Sequence, residues 1–262
     1  MAGRRRARLG QHFLHDPGIL RRIAAAAVAS PEDEVLEIGP GLGTLTRALA
    51  ALAPRVTAIE ADRGLAAALA EQVRGTAVTV VAGDALRVPW PRATVICGNI
   101  PYQITSPLLD RALRPPRPAR IVFLVQAEVA DRLAARPGTR EWGALTAGVR
   151  LVASVERLFT VPAGAFRPPP RVRSALVRLV PLAEPLVASG EEERRTRAVI
   201  QAGFQRRRQQ LRRTLREAWG VDRGEAERLL AEAGIEPAAR IEVLEPERLV
   251  ALARALGPRL AS

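Results

Sequence analysis

Asn99-Ile100-Pro101-Tyr102 closes the apolar run Thr94-Val95-Ile96-Cys97-Gly98 and sets polar acceptors beside an aromatic ring. That combination suits a flat base carrying an amine. An adenine exocyclic amine is a poor nucleophile because its lone pair is delocalised into the ring. Two acceptors on its hydrogens, the Asn99 side-chain oxygen and the Ile100 carbonyl, would favour a pyramidal nitrogen with its lone pair aimed at an electrophilic methyl. Pro101 would stiffen the loop and Tyr102, the sequence's one tyrosine, would stack on the base. With a donor that brings its own leaving group, orientation and electrostatic fit can carry the rate without a strong base.

Upstream, Glu37-Ile38-Gly39-Pro40-Gly41-Leu42-Gly43 reads as a glycine turn between a strand and a helix, where backbone amides and the helix dipole can meet a ligand. Its spacing differs from the dinucleotide Gly-x-Gly-x-x-Gly pattern. Glu60 follows Gly39 by 21 residues at the expected end of the next strand, where an acid can accept both ribose hydroxyls. Asp84, followed by Ala85 after the third strand, is placed to accept from a cofactor adenine; the alternative is a capping Asp. This third acidic anchor favours methyl transfer from S-adenosylmethionine over hydride transfer by a dehydrogenase.

These residues need a scaffold, and the sequence supplies one. Glu34 to Ile38, Val56 to Glu60, Val78 to Val81, Thr94 to Cys97 and Ile121 to Val125 read as strands between Ala/Leu-rich segments, giving an α/β fold around a largely parallel sheet. Val172 to Val180 reads as a late, half-exposed strand. Beyond Pro181 to Gly190 the pattern turns helical, so a catalytic domain over residues 1–183 and a small all-helical domain over 184–262 are expected. Ile200, Phe204, Leu211 and Leu215 form one stripe of a single helix from Arg194 to Arg216, which holds nine Arg and no acid. Arg206, Arg207, Arg208, Arg212 and Arg213 on that helix are candidate RNA contacts, with Arg167 and Arg171 beside the active site as further ones.

The 262-residue chain has a formal net charge of +13, which predicts a polyanionic partner, most commonly nucleic acid. All 40 of its basic residues are Arg. That total reflects composition, so only clustering argues for RNA. The single Cys97, in an apolar strand, reads as a buried, inert thiol and excludes a disulfide framework. His12 and His15 have no companions resembling a metal site, and no metal is expected. No signal peptide or span of ~20 apolar residues is visible. A cytoplasmic monomer without membrane contact is the expectation.

The chain resembles the ribosomal RNA adenine dimethyltransferases of the bacterial KsgA type. The likeness runs through Leu9-Gly10-Gln11-His12-Phe13-Leu14, the glycine turn, Glu60, Gly83-Asp84, Asn99 to Tyr102, Val125 to Ala130, Pro162 to Ser174, Ala233 to Pro237 and Arg240. It implies a Rossmann-like S-adenosylmethionine methyltransferase domain that dimethylates adenine amines, two adjacent ones, in small-subunit rRNA during ribosome biogenesis. The small ribosomal subunit or its precursor would be the partner. His12, Leu14, Gly39, Gly41, Glu60, Asp84, Ala85 and Asn99 would then hold the cofactor, with Phe166 helping to hold the base opposite Tyr102. Ala127, Ala144 and Arg173 stand where Lys, Arg and Asp are usual, which touches the RNA surface and not the catalytic residues. The alternatives are a large-subunit rRNA methylase of the macrolide-resistance type, and a ribosome-assembly factor without turnover. The segment from Gly234-Ile235-Glu236-Pro237 to Leu244 favours the small-subunit type.

Overall fold

The computed structural model describes residues 12–257; Leu9-Gly10-Gln11 lie outside them. Chain contacts divide the protein into two units, one of residues up to Ala130 with Val155–Pro181, the other of Asp131–Ser154 with Leu182 onward.

In the first unit, β1 (Phe13–Leu14) leads into α1 (Pro17–Ala27), β2 (Glu34–Ile38), α2 (Thr44–Ala50), β3 (Arg55–Glu60), α3 (Arg63–Gln72), β4 (Val78–Ala82), β5 (Val95–Asn99), α4 (Thr105–Ala112) and β6 (Arg120–Gln126). α5 (Ala127–Ala134) follows β6 directly and passes into the other unit after Ala130, and β7 (Ala153–Val161), in this unit from Val155, β8 (Phe166–Arg167) and β9 (Ser174–Pro181) complete the strands. The large sheet has the order β4-β3-β2-β5-β6-β9-β7. β2, β3, β4, β5 and β6 pair in parallel, and β9 runs antiparallel to β6. Central strands covered on both faces must be apolar throughout, and β2, β5 and β6 are buried along nearly their whole length. The edge strand β7, alternating and only partly buried, was not among the expected strands.

Because β2 is flanked by β3 on one side and β5 on the other, the connections leave it in opposite directions and open a crevice at its C-terminal end. The opposite end is closed by a polar cluster. The Asp33 carboxylate accepts from the Ala29 and Ser30 amides at 2.9 Å, from the Thr94 hydroxyl at 3.0 Å and from Arg120. Burial opposes its charge, but these bonds outweigh it and hold the carboxyl below its usual range. At Gly98 the backbone of β2 leaves no room for a side chain: a Cβ there would lie 2.4 Å from the Ile38 carbonyl oxygen.

The second unit contains α6 (Ala144–Arg150), α7 (Gly190–Gln205), α8 (Leu211–Trp219), α9 (Arg223–Glu232) and α10 (Pro246–Leu256). Composition marks a break near residue 183, and the contacts also assign 131–154 to this helical unit. Local bonds explain the assignment: Thr146 donates to the Arg132 carbonyl, and the Leu182 and Leu186 amides donate to Val152 and Leu151 at 2.9 Å. The single helix expected from Arg194 to Arg216 is instead two. Arg206 leaves helical geometry as the C-cap of α7, and Gln210 is extended and bridges Arg240, so tertiary pairing overrides a helix-compatible sequence. Ile200, Leu211 and Leu215 are nonetheless all buried.

Candidate active site

A cavity at the C-terminal ends of β2, β3 and β5 is lined by His12, Leu14, Glu37, Gly39, Gly41, Glu60, Asn99, Ile100 and Pro101, among others. The turn after β2 needs its glycines: Gly39, Gly41 and Gly43 have φ of 70°, 56° and 74°, in the left-handed region. A Cβ on Gly41 would also strike the Phe13 ring at 2.9 Å.

Glu60 is 5% exposed, and its two oxygens accept from the Gly41 and Asp62 amides at 2.9 Å. A carboxylate offers about four acceptor positions, so two remain for ligand hydroxyls. The Asn99 Nδ2 donates to the His12 carbonyl at 2.9 Å, which leaves Oδ1 on the other side of the amide. His12 therefore acts through its backbone, while its Nδ1 donates to the Pro168 carbonyl at 2.8 Å. The Leu14 carbonyl accepts from the Thr44 hydroxyl at 2.7 Å, tying the N-terminal strand to the start of α2. The Ile100 amide donates to Leu124 at 3.0 Å, and Tyr102 opens a 3-10 turn, Tyr102–Ile104.

Not every expected residue joins this cavity. Asp84 is exposed on the turn after β4, its Oδ1 accepting from Leu86 at 2.9 Å and its Oδ2 lying 3.6 Å from Arg87. Ala85 is buried behind it and accepts the Trp90 indole N–H at 2.8 Å. Phe166 is not among the residues lining the cavity. It is 3% exposed and packs in the core cluster that contains Leu14, with which it is paired in register. It thereby supports the N-terminal strand that carries His12 and Leu14 to the cavity.

The residue that sequence reasoning left without a role is Glu37. It is 1% exposed in the middle of the sheet, yet it lines the cavity, and its Oε2 has no hydrogen-bond partner. Burial, and then the charge of Glu60, push its carboxyl up to about 7. The signal was an acid inside an otherwise apolar strand. Cys97, its neighbour in register on β5, is fully buried, and its thiol is pushed up by burial and by Glu37.

The candidate RNA-contacting arginines divide into engaged and exposed. Arg207 is built into its unit: it pairs with Glu242 at 2.7 Å and donates to the Arg140 and Thr139 carbonyls at 2.8 and 3.0 Å. Arg206 and Arg213 share Glu217 at 3.1 and 2.7 Å, and Arg212 lies 3.6 Å from Glu227. The acids absent from that segment follow it in the chain: Glu217 on α8 itself, Glu227 on α9 and Glu242 on a 3-10 turn. Glu217 is held down to about 2, by Arg213 first and then by Gln209 and Arg206. Arg208 is exposed, and in the first unit so are Arg167, Arg171 and Arg173. Arg167 stands opposite Phe13, which lines the cavity, in the β1–β8 register.

The strand order, the glycine turn and the acid ending β3 define the Rossmann-like methyltransferase class. The pattern of the family described as ribosomal RNA adenine dimethylase matches residues 2–256. The ribosomal RNA small subunit methyltransferase A of Synechococcus elongatus is 39% identical, over 96% of this chain and 95% of its own. That of Myxococcus xanthus is 40% identical, over 95% and 90%. Among solved structures, the 23S rRNA methyltransferase ErmE aligns with a TM-score of 0.73 at 33% identity, over 93% of this chain and 99% of its own. A dimethyladenosine transferase from Plasmodium falciparum aligns at 0.83 and 27%, over 95% and 98%. The chain belongs to the ribosomal RNA adenine dimethylase family and is a methyltransferase enzyme. No helix among the described residues is long and apolar enough to cross a membrane.

Proposed function

We propose that the protein dimethylates the exocyclic amines of two adjacent adenines in small-subunit rRNA, using S-adenosylmethionine. The observation that carries this reading is the Asn99 amide, anchored by its nitrogen to His12 so that its oxygen remains an acceptor at a cavity containing Glu60 and the glycine turn. The cofactor fits these residues: Glu60 keeps acceptor positions for ribose hydroxyls, Gly41 has no side chain to obstruct approach, and Glu37 offers an unpartnered oxygen to a cation. S-adenosylmethionine would supply a methyl group on a sulfonium, so the leaving group needs no protonation.

Asn99 Oδ1 and the Ile100 carbonyl accept from the target amine and turn its lone pair toward the methyl. Tyr102 stacks on the base, and the proton leaves to water. One N–H survives the first transfer, so the same acceptors hold the monomethylated amine for the second. The ErmE likeness makes a large-subunit adenine the alternative target. The nearly full-length relatives named for the small subunit favour the first reading. Incubating small ribosomal subunits with the protein and excess cofactor, then mapping rRNA fragments by mass, should yield two neighbouring dimethyladenines. Clean arrest at monomethyladenine, or modification of large-subunit rRNA alone, would contradict the proposal.

Glu60→Ala should weaken S-adenosylmethionine binding about tenfold to a hundredfold, the equivalent of roughly 1.5–3 kcal/mol for hydrogen bonds to a charged group. It should also loosen the glycine turn, since Gly41 and Asp62 lose their acceptor. Calorimetry on the variant measures the first effect and thermal melting the second.

The exposed arginines of the first unit, Arg167, Arg171 and Arg173, are assigned the phosphate contacts, with Arg208 and Arg213 in the helical unit. Replacing the first three with Gln should make the log–log salt dependence of subunit binding shallower by about 0.7–0.9 per lost contact, leaving the choice of adenines unchanged. An unaltered slope would move the docking surface elsewhere. Arg207→Gln is expected chiefly to destabilise the helical unit, because it strands Glu242 and two carbonyls.

A further inference from the structure

Glu37 sits on β2 between β3 and β5, opposite Ala58 and Cys97. The elements packed around it place little compensating positive charge beside it. On β3 its ionisable neighbour is another acid, Glu60, already fixed by two amides. On β5 it meets the Cys97 thiol, and on α2 the Thr46 hydroxyl, a neutral donor that favours the carboxylate but does not offset its burial. Arg47 on α2 acts on it only weakly, its guanidinium being directed to the Leu42 carbonyl at 3.4 Å and to Gln72 at 3.1 Å. His12 lines the same cavity with its Nδ1 given to Pro168. A buried carboxylate with no cation and an empty acceptor position is costly, and protonation relieves the cost.

We propose that Glu37 senses positive charge in the cavity: it holds a proton while the cavity is empty and releases it when the cationic end of the cofactor enters. The carboxyl O–H bond breaks, its electron pair stays on the oxygen as the carboxylate, and the proton passes to solvent. The shared chemistry recognised is a fixed cation. In S-adenosylmethionine this is the methionine ammonium or the sulfonium, and only the ammonium persists in S-adenosylhomocysteine. The proposal rests on the S-adenosylmethionine reading and gives Glu37 a specificity role within it.

The test is calorimetry of S-adenosylmethionine binding in two buffers of unequal ionisation enthalpy, where the difference in heat counts protons. With the carboxyl near 7, release should approach one proton at pH 6 and about half a proton at pH 7. Affinity should rise roughly fivefold over that interval. Glu37→Gln should bind with no proton release and no such rise. Equal release with S-adenosylhomocysteine assigns the effect to the ammonium, and a smaller release assigns it to the sulfonium. Infrared difference spectra of the wild-type protein provide a second measure, loss of a carboxylic-acid carbonyl band on binding, that needs no variant to fold. Binding without proton release at pH 6, or release that persists in Glu37→Gln, would overturn the role of Glu37 and leave the cofactor assignment standing. A protein that binds no S-adenosylmethionine would overturn both.

Discussion

Replacing Asn99 with Ala is expected to lower the rate of methyl transfer by about 10²–10³-fold, while rRNA affinity changes far less. The estimate follows the loss of one fixed hydrogen-bonding group at a reacting centre, worth roughly 3–4 kcal/mol in comparable sites. Asn99→Asp separates the two jobs of the side chain: it keeps an oxygen acceptor but loses the N–H that His12 accepts. Single-turnover rates on small ribosomal subunits, with filter binding alongside, distinguish the outcomes. A rate within a few-fold of wild type in Asn99→Ala would remove this residue from the chemistry. Tyr102→Ala is expected to behave similarly, through loss of stacking on the base.

Glu37→Gln is expected to raise the stability of the ligand-free protein by about 3 kcal/mol at pH 9 and to leave it nearly unchanged at pH 4. The carboxyl lies near 4.5 when unfolded and near 7 when folded. Between those values the folded state keeps a proton that the unfolded state has lost, so stability falls as pH rises. The contribution is fully present below 4.5 and fully lost above about 7, and a shift of that size corresponds to about 3 kcal/mol. Gln imitates the protonated acid at every pH and so escapes the loss. Urea denaturation of both proteins across this range measures the difference. Parallel curves would mean that Glu37 is solvated or paired in solution.

Much of the catalytic unit could be read from the sequence because its central strands are buried on both faces. Glu34 to Ile38 stands out as a short β-rich run for that reason, and the strand has those bounds. The glycine turn was legible because three alternate glycines permit three left-handed residues. Strand β7 was missed because it is an edge, where partial exposure blurs the pattern. The break between α7 and α8 left no local mark, since Gln210 is drawn out of the helix by Arg240, thirty residues away. The acid partners of Arg206, Arg212 and Arg213 come from outside the Arg-rich segment, so a charge count over that segment could not find them.

The close approach of β2 and β5 at Gly98 bears on how this protein can change. Any side chain at that position meets the carbonyl of Ile38, which immediately precedes the glycine turn, and lies one residue before Asn99. Even a methyl group would force the two strand ends apart and carry the cofactor loop away from the amine-binding loop. Mutational tolerance should therefore be sharply uneven along a single strand. In a saturation library selected for methylation, Cys97 should accept other small residues, whereas Gly98 should return as glycine alone, making it a fixed hinge pin around which neighbouring positions drift.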